Sequence, residues 1–193
     1  VTSFYATTST APFHSLIEGL SVYKDYENID DGAWLLGVNA EGPMFSKDHH
    51  AKGAHLESNL VEPSVETFDT MMKASGNRIQ IMTIAPELDG AIDTIAHATR
   101  QGVKVFMGHT MATALETRRG IEAGACGFTH LFNGMRPLHH REAGVAGVGL
   151  FDPSTYSEMI ADGVHLSDEA IRIIYASKPL DKLITITDSV MAK

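Results

Sequence analysis

Cys126 is the chain's one cysteine, which excludes an intramolecular disulfide and fits a reducing compartment. The residue reads as small buried filler. Basic residues are scarce too, 15 Lys and Arg against 24 Asp and Glu, for a formal net charge of -9. That balance argues against a nucleic-acid or anionic-membrane surface, so any anionic partner must be small and locally bound. No apolar run is long enough to span a bilayer, and the N-terminus lacks the basic start and apolar core of a signal peptide; a cytoplasmic location is expected. What remains is ordinary for a globular protein: 193 residues, 44% hydrophobic, enough to bury one substantial core and better suited to one domain than two. The chain begins at Val1 and stops at Lys193 directly after a strand-like segment, so a fragment of a longer protein is expected.

Hydrophobic periodicity divides the chain into alternating strands and helices. A β-forming run over 1–8 leads to Pro12, after which Phe13, Leu16, Ile17, Leu20 and Tyr23 recur at helical spacing. A short strand over 34–38 precedes a polar stretch to about residue 59 that has no clear period. Helices follow over 61–74, 89–101 (with Ile92, Ile95 and Ala96 on its apolar face) and 112–123, with strands over 78–84, 103–107 and 125–129 between and after them. The strand over 125–129 opens into a long loop. A strand over 156–161 precedes a helix capped by Ser167, with Ile171, Ile174 and Tyr175 as its apolar face and Pro179 as its stop. The last strand covers 183–187. Seven strands separated mostly by helices imply a parallel sheet. An open doubly wound sheet would be expected to show a glycine-rich phosphate fingerprint after a strand, and none is present. A barrel gathers its chemistry at the C-terminal strand ends, and Glu41, Glu87, His109, His130, His165 and Asp188 all fall there. The expected fold is therefore α/β, a (β/α)8 TIM-type barrel lacking its first strand, its last helix, or both.

Glu41, His109 and His130 end three different strands and would converge at the mouth of such a barrel. One carboxylate and two imidazoles suit zinc or a similar divalent ion with a position left open for water. Taken singly, each has a bland explanation as a loop glutamate, a turn-capping histidine or a hydrogen-bonded core histidine. Asp188 is placed to act as general base and then general acid, or simply to cap a helix that follows. His55 and His165 are placed to polarise a carbonyl or bind substrate hydroxyls, or to sit solvated in loops. Arg136, His139, His140 and Arg141 could hold a phosphate, because guanidinium pairs with it bidentately; a solvated basic loop is the plainer alternative. His14, His49, His50 and His97 read as surface or packing residues.

With these segments in view, the chain resembles the N-acetylglucosamine-6-phosphate deacetylases of the amidohydrolase superfamily. The resemblance is carried by Gly37-Val38-Asn39-Ala40-Glu41-Gly42-Pro43, Lys52-Gly53-Ala54-His55, Thr83-Ile84-Ala85-Pro86-Glu87 and Gly108-His109-Thr110-Met111-Ala112-Thr113. The 129–147 loop, Asp162-Gly163-Val164-His165 and the segment from Thr187-Asp188-Ser189 onward complete it, in the family's order. It implies a metal-dependent hydrolase of the acetamide of N-acetylglucosamine 6-phosphate, with one divalent ion per chain, zinc or similar, held by Glu41, His109 and His130. Asp188 resembles the catalytic acid/base, His55 the residue that polarises the acetyl carbonyl, and His165 a sugar contact. Asn133 with the Gly134 backbone resembles part of a phosphate-binding loop. Arg141 resembles an arginine that reaches the phosphate of a neighbouring subunit in family homodimers.

The chain departs from the family pattern in three ways. A small accessory β domain and a first strand that often carries a His-x-His pair are not found, Met111 stands where Asn is usual, and Gly134 where Ala is usual; the last exchange is expected to be harmless. Two further readings stay open: a non-catalytic fragment that binds phosphosugar, and a related amidohydrolase acting on another amide or cyclic imide.

Overall fold

The computed structural model describes residues 2–189. Seven strands run parallel in the order of the chain: β1 (Ser3–Thr8), β2 (Trp34–Glu41), β3 (Ile79–Ile84), β4 (Lys104–Met107), β5 (Gly127–Phe128), β6 (Tyr156–Ile160) and β7 (Leu183–Ile186). Helices α1 (Phe13–Ser21), α2 (Val65–Ala74), α3 (Ala91–Arg100), α4 (Ala114–Glu122), α5 (Gly144–Phe151) and α6 (Asp168–Ser177) fill the crossovers, one between each pair of neighbouring strands. Parallel neighbours require such crossovers, because a tight hairpin can only reverse the chain.

The sheet is curled. Laid flat, seven strands spaced about 4.8 Å apart would hold β1 and β7 about 29 Å from each other. Yet Thr7 of β1 and Asp188 just beyond β7 line the same concavity of about 750 Å³. The curl does not close in a ladder: β1 pairs only with β2, and β7 only with β6. The expected alternation of strands and helices and the barrel-like curvature are thus present, while an eight-stranded closed ring is not seen among the described residues. The core joins the sheet to its helices through fully buried Leu20, Val38, Phe68, Ile79, Val105, Met107 and Phe128. No helix among the described residues is long and apolar enough to cross a membrane.

Several boundaries differ from the sequence reading for local reasons. Strand β2 continues through Glu41 rather than ending at 38. Helix α2 starts at Val65, not 61, because Pro63 precedes Ser64, whose side chain accepts from Thr67 N and caps the helix. Helix α4 starts at Ala114, where Thr113 and Glu116 form a reciprocal capping box. On α3 the buried face is Ala91, Thr94, Ile95 and Ala98, and Ile92 points outward. On α6 only Ile174 is buried, and Tyr175 is exposed. Helix α5 falls where the sequence suggested the end of a loop. Cys126 is only half-buried rather than fully packed away.

Candidate metal centre

Strand register sets the site. Met107 of β4 pairs with Phe128 of β5, so His109 and His130, each two residues further on, stand level at the same sheet end. Glu41 closes β2 and pairs with Thr83 of β3; beneath the site the Thr83 and Thr129 hydroxyls are hydrogen-bonded at 2.8 Å. His109 and His130 have φ of 49° and 32°, and Asp188 has 49°. This left-handed backbone costs a non-glycine residue roughly 1–3 kcal/mol. It turns each chain out of its strand and swings the side chain over the concave face.

The three sequence-predicted ligands meet. His109 Nε2 lies 3.1 Å from Glu41 Oε1, His130 Nε2 lies 3.2 Å from the same oxygen, and the two Nε2 atoms are 3.0 Å apart. All three side chains are buried. On the far side of each ring, His109 Nδ1 faces Ala51 O at 2.8 Å and His130 Nδ1 faces Asn133 O at 3.1 Å. Carbonyl oxygens only accept, so both Nδ1 atoms carry hydrogen, and in the neutral rings both Nε2 atoms are bare acceptors. Two imidazole lone pairs and a carboxylate oxygen then point at one another, which needs a positive charge among them. A proton on one Nε2 answers this in part; burial works against ionising Glu41, but the two imidazoles outweigh it and hold its carboxyl well below the usual range. A divalent cation satisfies all three donors. Ligands at 2.0–2.1 Å from a tetrahedral ion sit about 3.3 Å from one another, close to the spacing seen. The residues therefore fit the metal that the sequence implied. Backbone carbonyls behind metal-binding imidazoles are the usual supporting partners.

His55 lies at the edge of this group. Its ligand atom is within 4.8 Å of those of Glu41 and His109, its ring meets His109 edge-on at 4.5 Å, and its Nδ1 is 2.8 Å from Thr10 Oγ1. Burial, with the charge of His109 next, pulls it down to about 4, so it is neutral at ordinary pH. Asp188 lines the cavity with its carboxyl pushed up by burial and then by the charge of Glu41. Asn133, Gly134 and His165 line the same cavity. His165 Nδ1 is 2.7 Å from Asp162 Oδ2, and Asp162 Oδ1 accepts from the Val164 and His165 amides.

Arg141 is not brought to this cavity; it sits exposed in the turn closed by His139 and Glu142. His139 and His140 are exposed beside it, and the backbone-facing Nε of Arg136 donates to Met111 O at 2.6 Å. The remaining sequence-noted histidines, His14, His49, His50 and His97, are exposed or half-buried away from the site. Gly134, where the sequence resemblance has Ala, occupies a backbone conformation that glycine adopts without strain. Gly134 has φ of +56°, and a Cβ there would stand 2.9 Å from Ala51 O and 3.0 Å from His109 Nδ1, wedged into the bond that orients His109.

Sequence reasoning missed Glu158. It lies in β6, lines the cavity, and its Oε2 accepts from His130 N at 3.4 Å. Burial pushes its carboxyl up to about 7. The signal was available: a lone carboxylate amid the otherwise apolar end of a strand. Asn39 was also missed, and its Oδ1, two residues before Glu41 on the same strand face, is buried without a protein partner.

No protein-family model matches the chain. N-acetylglucosamine-6-phosphate deacetylase of Vibrio furnissii is 40% identical over 176 residues, 91% of this chain and 44% of that protein. N-acetylgalactosamine-6-phosphate deacetylase of Escherichia coli O157:H7 is 35% identical over 193 residues, 100% of this chain and 50% of that protein. The structure of a Mycobacterium smegmatis N-acetyl-D-glucosamine-6-phosphate deacetylase variant, in complex with N-acetyl-D-glucosamine-6-phosphate, superposes with a TM-score of 0.88 at 34% identity, covering 98% of this chain and 48% of that one. In sequence and in fold, the chain is similar to N-acetylhexosamine-6-phosphate deacetylases, and it spans about half the length of the relatives it matches.

Proposed function

We propose that this chain carries the metal centre and much of the active site of a deacetylase that converts N-acetylglucosamine 6-phosphate to glucosamine 6-phosphate and acetate. The observation that carries the reading is the meeting of Glu41 Oε1 and two bare Nε2 atoms at 3.0–3.2 Å. Glu41, His109 and His130 would hold one divalent ion, zinc by the chemistry of the donors. When bound, such an ion supplies Lewis acidity toward the acetyl carbonyl and makes water a nucleophile at neutral pH.

The chain's own residues supply the rest. Asp188 takes the proton from the attacking water and returns it to the departing amine nitrogen; its raised affinity for a proton suits that exchange. His55 stays neutral, and with Thr10 donating to Nδ1 its Nε2–H is free to stabilise the oxygen of the tetrahedral adduct. His165, held by Asp162, presents Nε2 to a sugar hydroxyl. Asn133 and the Gly134 backbone would take the phosphate, and Arg141, which is outside its own cavity, would reach the phosphate in a partner subunit of a homodimer. The same reading makes the chain part of a (β/α) barrel domain acting in the cytoplasm.

Asp188→Asn tests the assignment. Acetate release is expected to fall by at least about 100-fold, while binding of the sugar phosphate, followed calorimetrically, persists. Undiminished turnover would remove Asp188 from the chemistry. The assay should set the 6-phosphate against unphosphorylated N-acetylglucosamine, and against the galacto epimer named in the Escherichia coli relative.

A further inference from the structure

Glu87 stands at the C-terminal end of β3 but does not line the 750 Å³ cavity. Its carboxylate is turned sideways, into the loop that follows β4. Oε1 accepts from Met111 N at 2.6 Å, and Oε2 accepts from the hydroxyl of Thr110, a residue with no exposed surface. The Thr110 hydroxyl oxygen also takes the Ala112 amide at 3.0 Å. Thr110 N donates to Gly134 O at 3.0 Å, Thr110 O accepts from Arg136 N at 2.9 Å, and Met111 O accepts from Arg136 Nε. Every backbone donor and acceptor of these two residues that can face inward is engaged. The residue just before them is His109, with its left-handed φ of 49°.

A left-handed histidine returns to a commoner conformation unless its surroundings hold it. On its N-terminal side the chain has just left β4, and Gly108 N still donates to Ile84 O of β3 at 3.3 Å. On its C-terminal side His109 O accepts from Ser46 N at 3.0 Å, and the remaining restraint comes from the bonds of Thr110 and Met111, two of which end on the Glu87 carboxylate. No Lys, Arg or His is paired with Glu87 among the described residues, so these hydrogen bonds are what offsets its partial desolvation. Metal–ligand distances fall within about 0.2 Å of their standard values, and a loop that relaxes after β4 would move His109 Nε2 away from Glu41 and His130.

Building on the metal-centre reading above, we infer that Glu87 is a positioning residue for that centre: by holding Thr110 and Met111 it fixes the backbone of His109, and it sets metal affinity while touching neither ion nor substrate. Removing a supporting partner of this kind weakens metal binding by about 10–100-fold. The conservative exchange Glu87→Gln keeps an oxygen for Met111 N and offers its amide to the Thr110 hydroxyl, which can accept in place of donating.

The experiment is a zinc titration of the purified chain against a chromogenic chelator, with thermal unfolding recorded on the same samples. Glu87→Ala should raise the zinc Kd by about 10–100-fold, and Glu87→Gln should recover most of that loss. Ile95→Ala, a truncation of the core on α3, should lower the melting temperature and leave the Kd of the folded protein unchanged. Should Glu87→Ala fail to fold, Thr110→Val, nearly isosteric, removes the hydroxyl from the same network and should weaken zinc in the same direction. A parent Kd retained in the folded Glu87→Ala or Thr110→Val chain, or an equal loss in Ile95→Ala, overturns the role given to Glu87 while leaving the metal centre standing. Absence of zinc binding by the parent chain overturns the metal centre and this role together.

Discussion

Glu41→Gln separates the metal reading from a purely structural one, because only the metal reading makes a zinc-dependent temperature shift depend on this carboxylate. In the parent chain, a cation among Glu41 Oε1, His109 Nε2 and His130 Nε2 binds only the folded state, since the three donors come together only there. Zinc at about 100 times its Kd then adds RT ln(1 + [L]/Kd), about 2.7 kcal/mol, which for a chain of this size is a rise of about 5–11 °C in melting temperature. Glutamine keeps the shape and removes the charge. If the Kd rises about 100-fold, the same zinc concentration is worth only RT ln 2, about 0.4 kcal/mol, and the shift shrinks to about 1 °C. Without metal the glutamine gains nothing, because the imidazoles that hold the Glu41 carboxyl below the usual range stabilise the charged carboxylate in the folded state, and the amide gives up that charge. The chelator-treated variant should therefore melt at or below the chelator-treated parent, by the charge-assisted hydrogen bonds it loses, worth about 1.5–3 kcal/mol. Calorimetry of both proteins with zinc and with chelator reads all four states. A parent melting temperature indifferent to zinc, or a variant that keeps the parent's zinc shift, refutes the argument.

Other consequences can be read in the same way. Lys178 is 4% exposed, its ammonium bonded to Asp152 O and Thr155 Oγ1, and burial lowers it to about 8. Between about pH 8 and 10.5 the unfolded chain binds this proton and the folded chain does not, so stability should rise with pH across that window by up to about 3 kcal/mol. Below it both states are protonated and the contribution is flat; urea midpoints for the parent and Lys178→Met should differ in slope there, and equal slopes would discount the buried ammonium. Gly134→Ala should lose about 1–2 kcal/mol to its left-handed backbone and weaken zinc as well, by crowding the His109 to Ala51 bond; a neutral result in both measurements would mean the loop yields freely. Asp162→Asn replaces the acceptor at His165 Nδ1 by a donor while preserving the turn's amide bonds through Oδ1. Steady-state kinetics should show KM raised about tenfold, a cost near 1.4 kcal/mol, with kcat little changed. A fall in kcat alone would place His165 in the chemistry rather than in sugar binding.

Much of the site was legible because the strands end in polar residues. Glu41, His109 and His130 each follow a β-forming run, and parallel register brings such ends level; the carry from spacing to convergence is short. The rest was hidden for identifiable reasons. Helix α5 reads Gly-Val-Ala-Gly-Val-Gly-Leu-Phe and is buried along nearly its whole length, so it has no polar face to generate a helical period. Strand β5 is two residues long, because the chain leaves the sheet early to present His130. Ile92 of α3 looked inward by periodicity, yet Thr94 takes the inner place by donating its hydroxyl to Gly90 O. The steric demand at Gly134 depends on Ala51, a residue 83 positions away in sequence (134 − 51), and no local pattern encodes it. Glu87 was visible as a strand-end carboxylate but gave no sign that it would face a loop instead of the cavity.

The donors of the candidate centre are far apart along the chain: Glu41 is 68 residues from His109 and 89 from His130. Closing loops of that size is entropically costly before any contact repays it, and no short segment carries the full donor set. An ion cannot seed such a fold; it must wait until β2, β4 and β5 have already aligned. Interactions that form after the rate-limiting step leave the folding rate alone and act on unfolding. With and without metal, the chain should therefore reach its native form at similar speed, and the ion's effect would be on how long that form lasts.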